Sequence, residues 1–350
     1  MGGDRSIAGR SRLAWADAAR GVAIVLVLLG HTCPPPYTTA FIYAFHMPLF
    51  FMLSGLFLRM DEPFGVFLRK KARTLLVPFV FYNLVLLASD WCIVALSPNF
   101  HEPVDIGGRL LGTLTAWRGG FWNSALWFLP CLFSAQLLLV GCHRVSQGHN
   151  QTQILLWLLL SLAGIGYCRW VGYPLPFSLD VALVATGFLL MGRQLMRLNL
   201  RGEAWWYWAV TLLVFATSTL ENHASLGGGD QHVDLSTSTM GDPLMFYLAA
   251  SGGSLLVIRA CQAMGGAKVL TWLGRNSLAI YCLHRIPLNL GIAIWKVVAD
   301  PSELLPPPHS YTLIRSLVLL VFTLLLLIPA VYVVNRWLPW TLGKVVKSEK

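Results

Sequence analysis

The chain has 350 residues, 56% hydrophobic and only 12% charged, with a mean hydropathy of +0.62 and a formal net charge of +10. Soluble domains carry about 25% charged residues, so a water-soluble fold has too little polar surface to cover this chain, whereas a bilayer can absorb it. The basic residues sit between apolar runs and build no Lys/Arg-rich face with interleaved aromatics, which excludes nucleic acid as the expected partner and points to the lipid bilayer.

Ten apolar runs long enough to cross a bilayer fall at about 14–32, 41–59, 74–97, 124–143, 152–170, 177–197, 204–220, 243–263, 277–299 and 311–335. They predict an all-α, polytopic membrane bundle of about ten transmembrane helices. A single transmembrane domain over residues 1–350 is expected, with no separate soluble block. The basic N-terminal stretch followed by an apolar run resembles a signal peptide, but Gly30-His31-Thr32-Cys33 and three prolines make a poor cleavage site, so a retained first span is expected.

If the N-terminus is cytoplasmic, 20 of the 26 Lys and Arg residues fall in inside segments and 3, Arg109, Arg118 and Arg169, in outside ones. Arg285, Lys296 and Arg315 sit within or at the edge of spans. That asymmetry predicts an even number of spans with both termini in the cytoplasm. The loop at 221–242, with its run "LGGGDQHVDLSTST", reads as flexible and solvated. The seven cysteines form no CxxC pair and lie mostly in apolar runs, so they read as buried thiols and not as a disulfide framework or a zinc site.

Ionisable groups at membrane depth cost about 3 kcal/mol each on insertion scales, so those retained need a partner or a task. In the first run nothing polar lies from Val22 to Leu29, yet Asp17 and Arg20 precede it and His31 ends it. Arg20 and His31 are eleven residues apart, about 16 Å and close to three helical turns, which puts both on nearly one face. Asp17, three residues before Arg20, shares that face and can pair with the guanidinium. The second run carries His46 at a depth near His31, so the two histidines can share a cavity. The basic stretch Arg69-Lys70-Lys71-Ala72-Arg73 serves as a topology signal, and it also suits anionic phosphates, with Arg69 and Arg73 four residues apart on one face. Asp90, Asp180, His284 and Arg285 complete the intramembrane ionisable set, with Asn83, Gln136 and Asn289 as neutral companions.

The segments "DAARGVAIVLVLLGH", "FHMPLFFMLSGLF", "FLRKKARTLLVPFVFYN", "ALWFLPCLF" and "LGRNSLAIYCLH", in that order, make the sequence similar to the membrane-bound acyltransferase 3 family. They most closely resemble its fucose 4-O-acetylase-like branch. The resemblance implies O-acetylation of a carbohydrate at the outer or periplasmic face of a bacterial cytoplasmic membrane, with cytoplasmic acetyl-CoA as donor. No appended SGNH hydrolase-like domain is expected. By the same resemblance, Arg20 contacts CoA, His31 is catalytic, and Arg69 and Arg73 stand where the family places arginines of the third span. Asp180 and His284 match polar positions of the branch less closely.

Acyl transfer needs the CoA phosphates held, the thioester aligned, the hydroxyl deprotonated and the oxyanion stabilised. Asp17, Arg20, Arg69, Lys70 and Arg73 are the candidates for binding CoA. An imidazole, with a reference pKa of about 6.5, suits a general base, and an acetyl-histidine intermediate is an equally open route. His31 is the candidate for that chemistry, with His46 beside it. Asp180, His284, Asn83 and Trp127, in the Trp122/Trp127 region, are candidates for meeting the sugar. A transporter of a glycan or small molecule is the rival reading, since spans interrupted by polar groups suit transport too. No metal is expected, because the intramembrane histidines lack carboxylate helpers.

Overall fold

Leu13 opens the first element, α1 (Ala14–His31), one unbroken helix through the apolar run. It ends where the sequence stops supporting a helix: Cys33 takes a left-handed φ of 56° and three prolines follow. The last of these, Pro36, has no N–H to lose at a first helical position, and α2 (Pro36–Leu56) starts on it, five residues before the expected boundary. The computed structural model describes residues 13–96, 105–118, 124–195, 204–265, 267–298 and 312–344. Trp122 and most of the N-terminal arginines lie outside the described residues.

Helix α3 (Phe64–Lys71) passes through one π-helical turn, Ala72–Leu76, into α4 (Val77–Leu96). The basic stretch is therefore helical and belongs to the third span. A short α5 (Ile106–Thr115) precedes α6 (Phe128–Val145), α7 (Asn150–Trp170), α8 (Leu179–Leu195), α9 (Trp205–Ser225) and α10 (Pro243–Ala263). The chain then forms α11 (Lys268–Arg275), α12 (Ser277–Leu283), α13 (Arg285–Val298) and α14 (Leu313–Trp337). Among the described residues there is no strand, only an isolated bridge between Asp234 and Thr239.

Among the described residues all ten expected runs are helical, but they are not equivalent. Eight are long and apolar enough to cross a membrane singly, and α12 with α13 makes a ninth if the bent pair counts as one span. The 49° bend falls at His284, two residues after which comes Ile286 and then Pro287, whose ring cannot fit over the preceding turn of an unbroken helix. Helix α9 has the length, with 21 residues, but its Thr, Ser, Glu, Asn and His residues lower its apolarity. It still exposes Val210, Leu212 and Leu213. Helices α2, α6 and α8 are largely buried, while α7 and α14 turn leucines outward, the arrangement of a bundle in lipid. Exposed Trp205, Trp206, Trp337 and Trp340 gather toward the Arg20 end and Trp91 and Trp170 toward the His31 end, the interfacial places tryptophan takes in a bilayer.

Two close crossings set the geometry. Helix α11 lies against α1 because Gly21 and Gly274 carry no side chain; a Cβ on Gly274 would overlap the carbonyl oxygen of Asp17, and one on Gly21 that of Leu270. Gly55 of α2 and Gly192 of α8 meet the carbonyls of Leu189 and Met52 in the same way. Without glycine these backbones stand apart. Four of the seven cysteines are buried and Cys168 is partly so, but Cys33 and Cys92 are exposed, a departure from the expectation of buried thiols.

Candidate active site

The unbroken α1 carries the two groups that the sequence singles out to opposite ends of the bundle. At the N-terminal end, the Asp17 carboxylate is buried between two guanidinium groups. Arg20 donates to its Oδ1 at 3.4 Å and Arg275 Nε to its Oδ2 at 3.1 Å. Arg20 also donates to the carbonyl of Leu53 at 3.3 Å and stands 5.0 Å over the Phe57 ring. Both arginines retain solvent exposure, 26% for Arg20 and 48% for Arg275. A carboxylate held between two partly exposed guanidiniums fixes their rotamers and keeps two cationic groups side by side.

Arg69 and Arg73 are exposed, and Lys70 is engaged by Glu62 at 2.9 Å, its ammonium holding that carboxyl below the ordinary range. The Arg73 backbone packs on Gly343. From there Lys344 donates to Asn335 at 2.6 Å, Asn335 donates to Asn276 at 2.9 Å, and Asn276 adjoins Arg275. The third-span cations and the Asp17–Arg20–Arg275 cluster thus lie at one end of the molecule. The start of α1 and the segment after α14 are at that same end.

At the other end His31 lines a cavity of about 160 Å³ with Val27, Tyr43, His46, Met47, Ala125, Trp127, Asp234, Leu235, Ser236 and Tyr281. The two histidines of adjacent spans do meet in one cavity. His46 sits 2.8 Å from the Ile42 carbonyl through Nδ1; a carbonyl only accepts, so Nδ1 carries the proton and Nε2 is the ring's acceptor. The Tyr43 ring packs edge-on against His46 at 4.9 Å and against His232 at 4.5 Å. His284 lies behind the cavity wall. Its ring stacks on His31 with centroids 5.1 Å apart and planes 28° from parallel. His284 Nδ1 donates to the Tyr281 carbonyl at 2.7 Å, which the helix break at this residue permits. The first residue after the break is Arg285, which opens α13.

Other candidates lie elsewhere. Asn83 is buried in α4 and donates to the Phe79 carbonyl at 2.9 Å, one turn back on its own helix. Asp180 does not line the cavity: its carboxylate pairs with Arg118 and accepts from Ser238 Oγ at 2.7 Å. Asp90 pairs with Arg109 at 3.0 Å. The loop expected to be flexible and solvated is in part a built structure. Asp234 and Thr239 exchange backbone hydrogen bonds of 2.8 and 2.9 Å, and one face of this turn is the cavity wall. Long-range contacts from Arg118 organise it, and no local pattern signals them.

A family model describing an acyltransferase domain, that of the acyltransferase 3 family, matches residues 13–336. The chain belongs to the acyltransferase 3 family. Comparison with curated proteins and with solved structures gave no match. With its apolar helices this is a multi-pass membrane acyltransferase. Sequence reading found His31, His46 and Trp127 of the cavity of this acyltransferase and overlooked Tyr43, Asp234 and Tyr281. Tyr43 had a signal, standing three residues before His46 on one helical face; Asp234 had none. Arg275, in the segment "LGRNSLAIYCLH", is not among the candidates that the sequence singles out.

Proposed function

We propose that the protein is an O-acetyltransferase that takes acetyl-CoA at its cytoplasmic end and passes the acetyl group to a carbohydrate hydroxyl at the outer face of a bacterial cytoplasmic membrane. The observation that carries this reading is one unbroken helix with a guanidinium cluster at one end and a histidine in a cavity at the other. The resemblance to the fucose 4-O-acetylase-like branch supports a sugar as acceptor.

In this reading Arg20 and Arg275, oriented by Asp17, hold the phosphates of CoA, with Arg69 and Arg73 adding positive charge. The pantetheine arm spans the distance of about three helical turns to the cavity. There the neutral His31 imidazole takes the proton of the sugar hydroxyl as its oxygen attacks the thioester carbonyl. A tetrahedral oxyanion results in the cavity. Collapse expels the CoA thiolate, which takes the proton back from His31. His46, with Nε2 as acceptor, and Trp127, an apolar plate for sugar C–H faces, position the acceptor.

The test is vectorial. Purified protein is placed in liposomes with labelled acetyl-CoA sealed inside and methyl glycosides outside, and the oriented fraction is measured by protease protection. Label is expected on the external glycoside, with CoA released inside. Glycoside movement without acetylation sinks the proposal in favour of a transporter. Arg20→Ala and Arg275→Ala are expected each to raise the KM for acetyl-CoA by about tenfold or more, the scale of a charge-assisted hydrogen bond, with kcat changed far less. An unchanged KM in both would remove the phosphate-binding role of this cluster.

A further inference from the structure

The wall of the His31 cavity opposite α1 and α2 is formed by Asp234, Leu235 and Ser236. This short segment is held by an unusual buried pair. Arg118 and Asp180 have side chains 5% and 1% exposed. Arg118 Nη1 donates to the carbonyls of Leu235 at 2.9 Å and Ser236 at 2.8 Å. Its Nη2 donates to Asp180 and, at 2.9 Å, to Ser238 Oγ. Ser238 in turn donates to Asp180 and adopts a left-handed φ of 64°, a conformation that a residue with a Cβ rarely takes. Asp180 stands in the first turn of α8, where the helix N-terminus favours a carboxylate.

A buried ion pair is a poor way to gain stability, since apolar residues of similar volume commonly serve as well. What this pair does that apolar residues cannot is grip two carbonyls and a hydroxyl of one turn at once. The gripped turn presents Asp234, the one carboxylate among the described residues that line the cavity. Asp234 uses Oδ1 to accept from the Ser236 N–H at 2.8 Å, which orients the group and leaves its acceptor capacity only partly used. Beside it stand the Trp127 ring and the Tyr43 and Tyr281 side chains. An oriented carboxylate beside an aromatic plate matches a polyhydroxylated ligand, which offers O–H donors along its edge and C–H groups on its face.

We propose that Asp234 is the acceptor-recognition residue of the cavity, binding hydroxyl groups of the sugar, and that the Arg118–Asp180 pair is a positioning device that holds Asp234 in place. The proposal rests on the acetyl-transfer reading above and names the part of that site which selects the acceptor. Asp180, a sugar-binding candidate from sequence, then acts on the sugar through Arg118 and the turn.

The experiment measures transfer from acetyl-CoA to a set of methyl hexopyranosides and their monodeoxy analogues, using the full-length protein in detergent. For Asp234→Asn and Asp234→Ala we expect the acceptor KM to rise about 10- to 100-fold, with the KM for acetyl-CoA within about twofold. In the native protein one deoxy analogue should be selectively disfavoured, and Asp234→Ala should no longer distinguish it from its parent. Ser238→Ala loosens the clamp without stranding a charge, so it should keep the native melting midpoint and still raise the acceptor KM. Arg118→Lys, which cannot grip two carbonyls in the same fork, should do so more strongly. Native acceptor KM in both Asp234→Ala and Ser238→Ala overturns the assignment, as does an equal rise for both substrates. If the native protein itself transfers no acetyl group, the acetyl-transfer reading falls and this assignment with it.

Discussion

Replacing His31 by alanine is expected to lower kcat for acetyl transfer by about 10²- to 10⁴-fold, the contribution of a positioned general base, while acetyl-CoA binding at the far end persists. The separation follows from the helix. His31 is the last residue of α1 and Arg20 is three turns away, so shortening one side chain in the cavity leaves the Asp17–Arg20–Arg275 cluster untouched. Direct binding of acetyl-CoA by calorimetry and steady-state transfer by the same preparation give the two readouts. Substantial transfer by His31→Ala would end the claim for this residue. His284→Phe offers a control, since it keeps an aromatic ring against His31; it should retain far more activity than His31→Ala, because stacking positions the imidazole and takes no proton.

The second large effect is expected from a residue with no functional group. Gly274→Val puts atoms where the Asp17 carbonyl oxygen lies, so α11 must move away from α1. Overpacking of this kind costs about 1–3 kcal/mol, read as a lower melting midpoint in detergent. The movement also withdraws Arg275, the next residue in the chain, from Asp17, so the carboxylate that Arg20 binds along α1 loses its Arg275 partner. A rise of about tenfold in the KM for acetyl-CoA should therefore accompany the lost stability. A destabilisation at the α7–α8 crossing, Gly164→Ala, whose Cβ would press on Leu183 and Val184, tests the coupling, for it distorts the bundle without touching Arg275 or the residues that hold Arg20. If both variants change acetyl-CoA affinity alike, the α1–α11 crossing has no special role in the donor site.

The helical membrane bundle was legible in the chain because each span states its own case. A run of twenty apolar residues is helical in lipid whatever surrounds it, since every backbone polar group must be satisfied within the segment. The relation of Arg20 to His31 was legible for the same reason, being a count of residues along one helix. Boundaries were less so. Pro36 could begin α2 early because an N-terminal proline loses nothing, and Pro287 divided the span at 277–299 at a point that apolarity does not mark.

What lies across the bundle was decided by tertiary structure alone. Which polar groups meet depends on how helices pack, and the packing here turns on glycines that let backbones touch, with Arg275 brought to Asp17 across 258 positions of sequence. The segment at 234–239 looked solvated by composition, with its Ser, Thr, Asp and neighbouring Gly residues. Arg118, far from it in the chain, makes it a fixed wall of the His31 cavity by binding its carbonyls. Periodicity and spacing report interactions along a chain within a few turns. A guanidinium that satisfies the backbone of a loop 117 residues away leaves no trace in either, which is why the sequence by itself determined the membrane helices and the Arg20–His31 axis, and only the fold decided what surrounds the histidine.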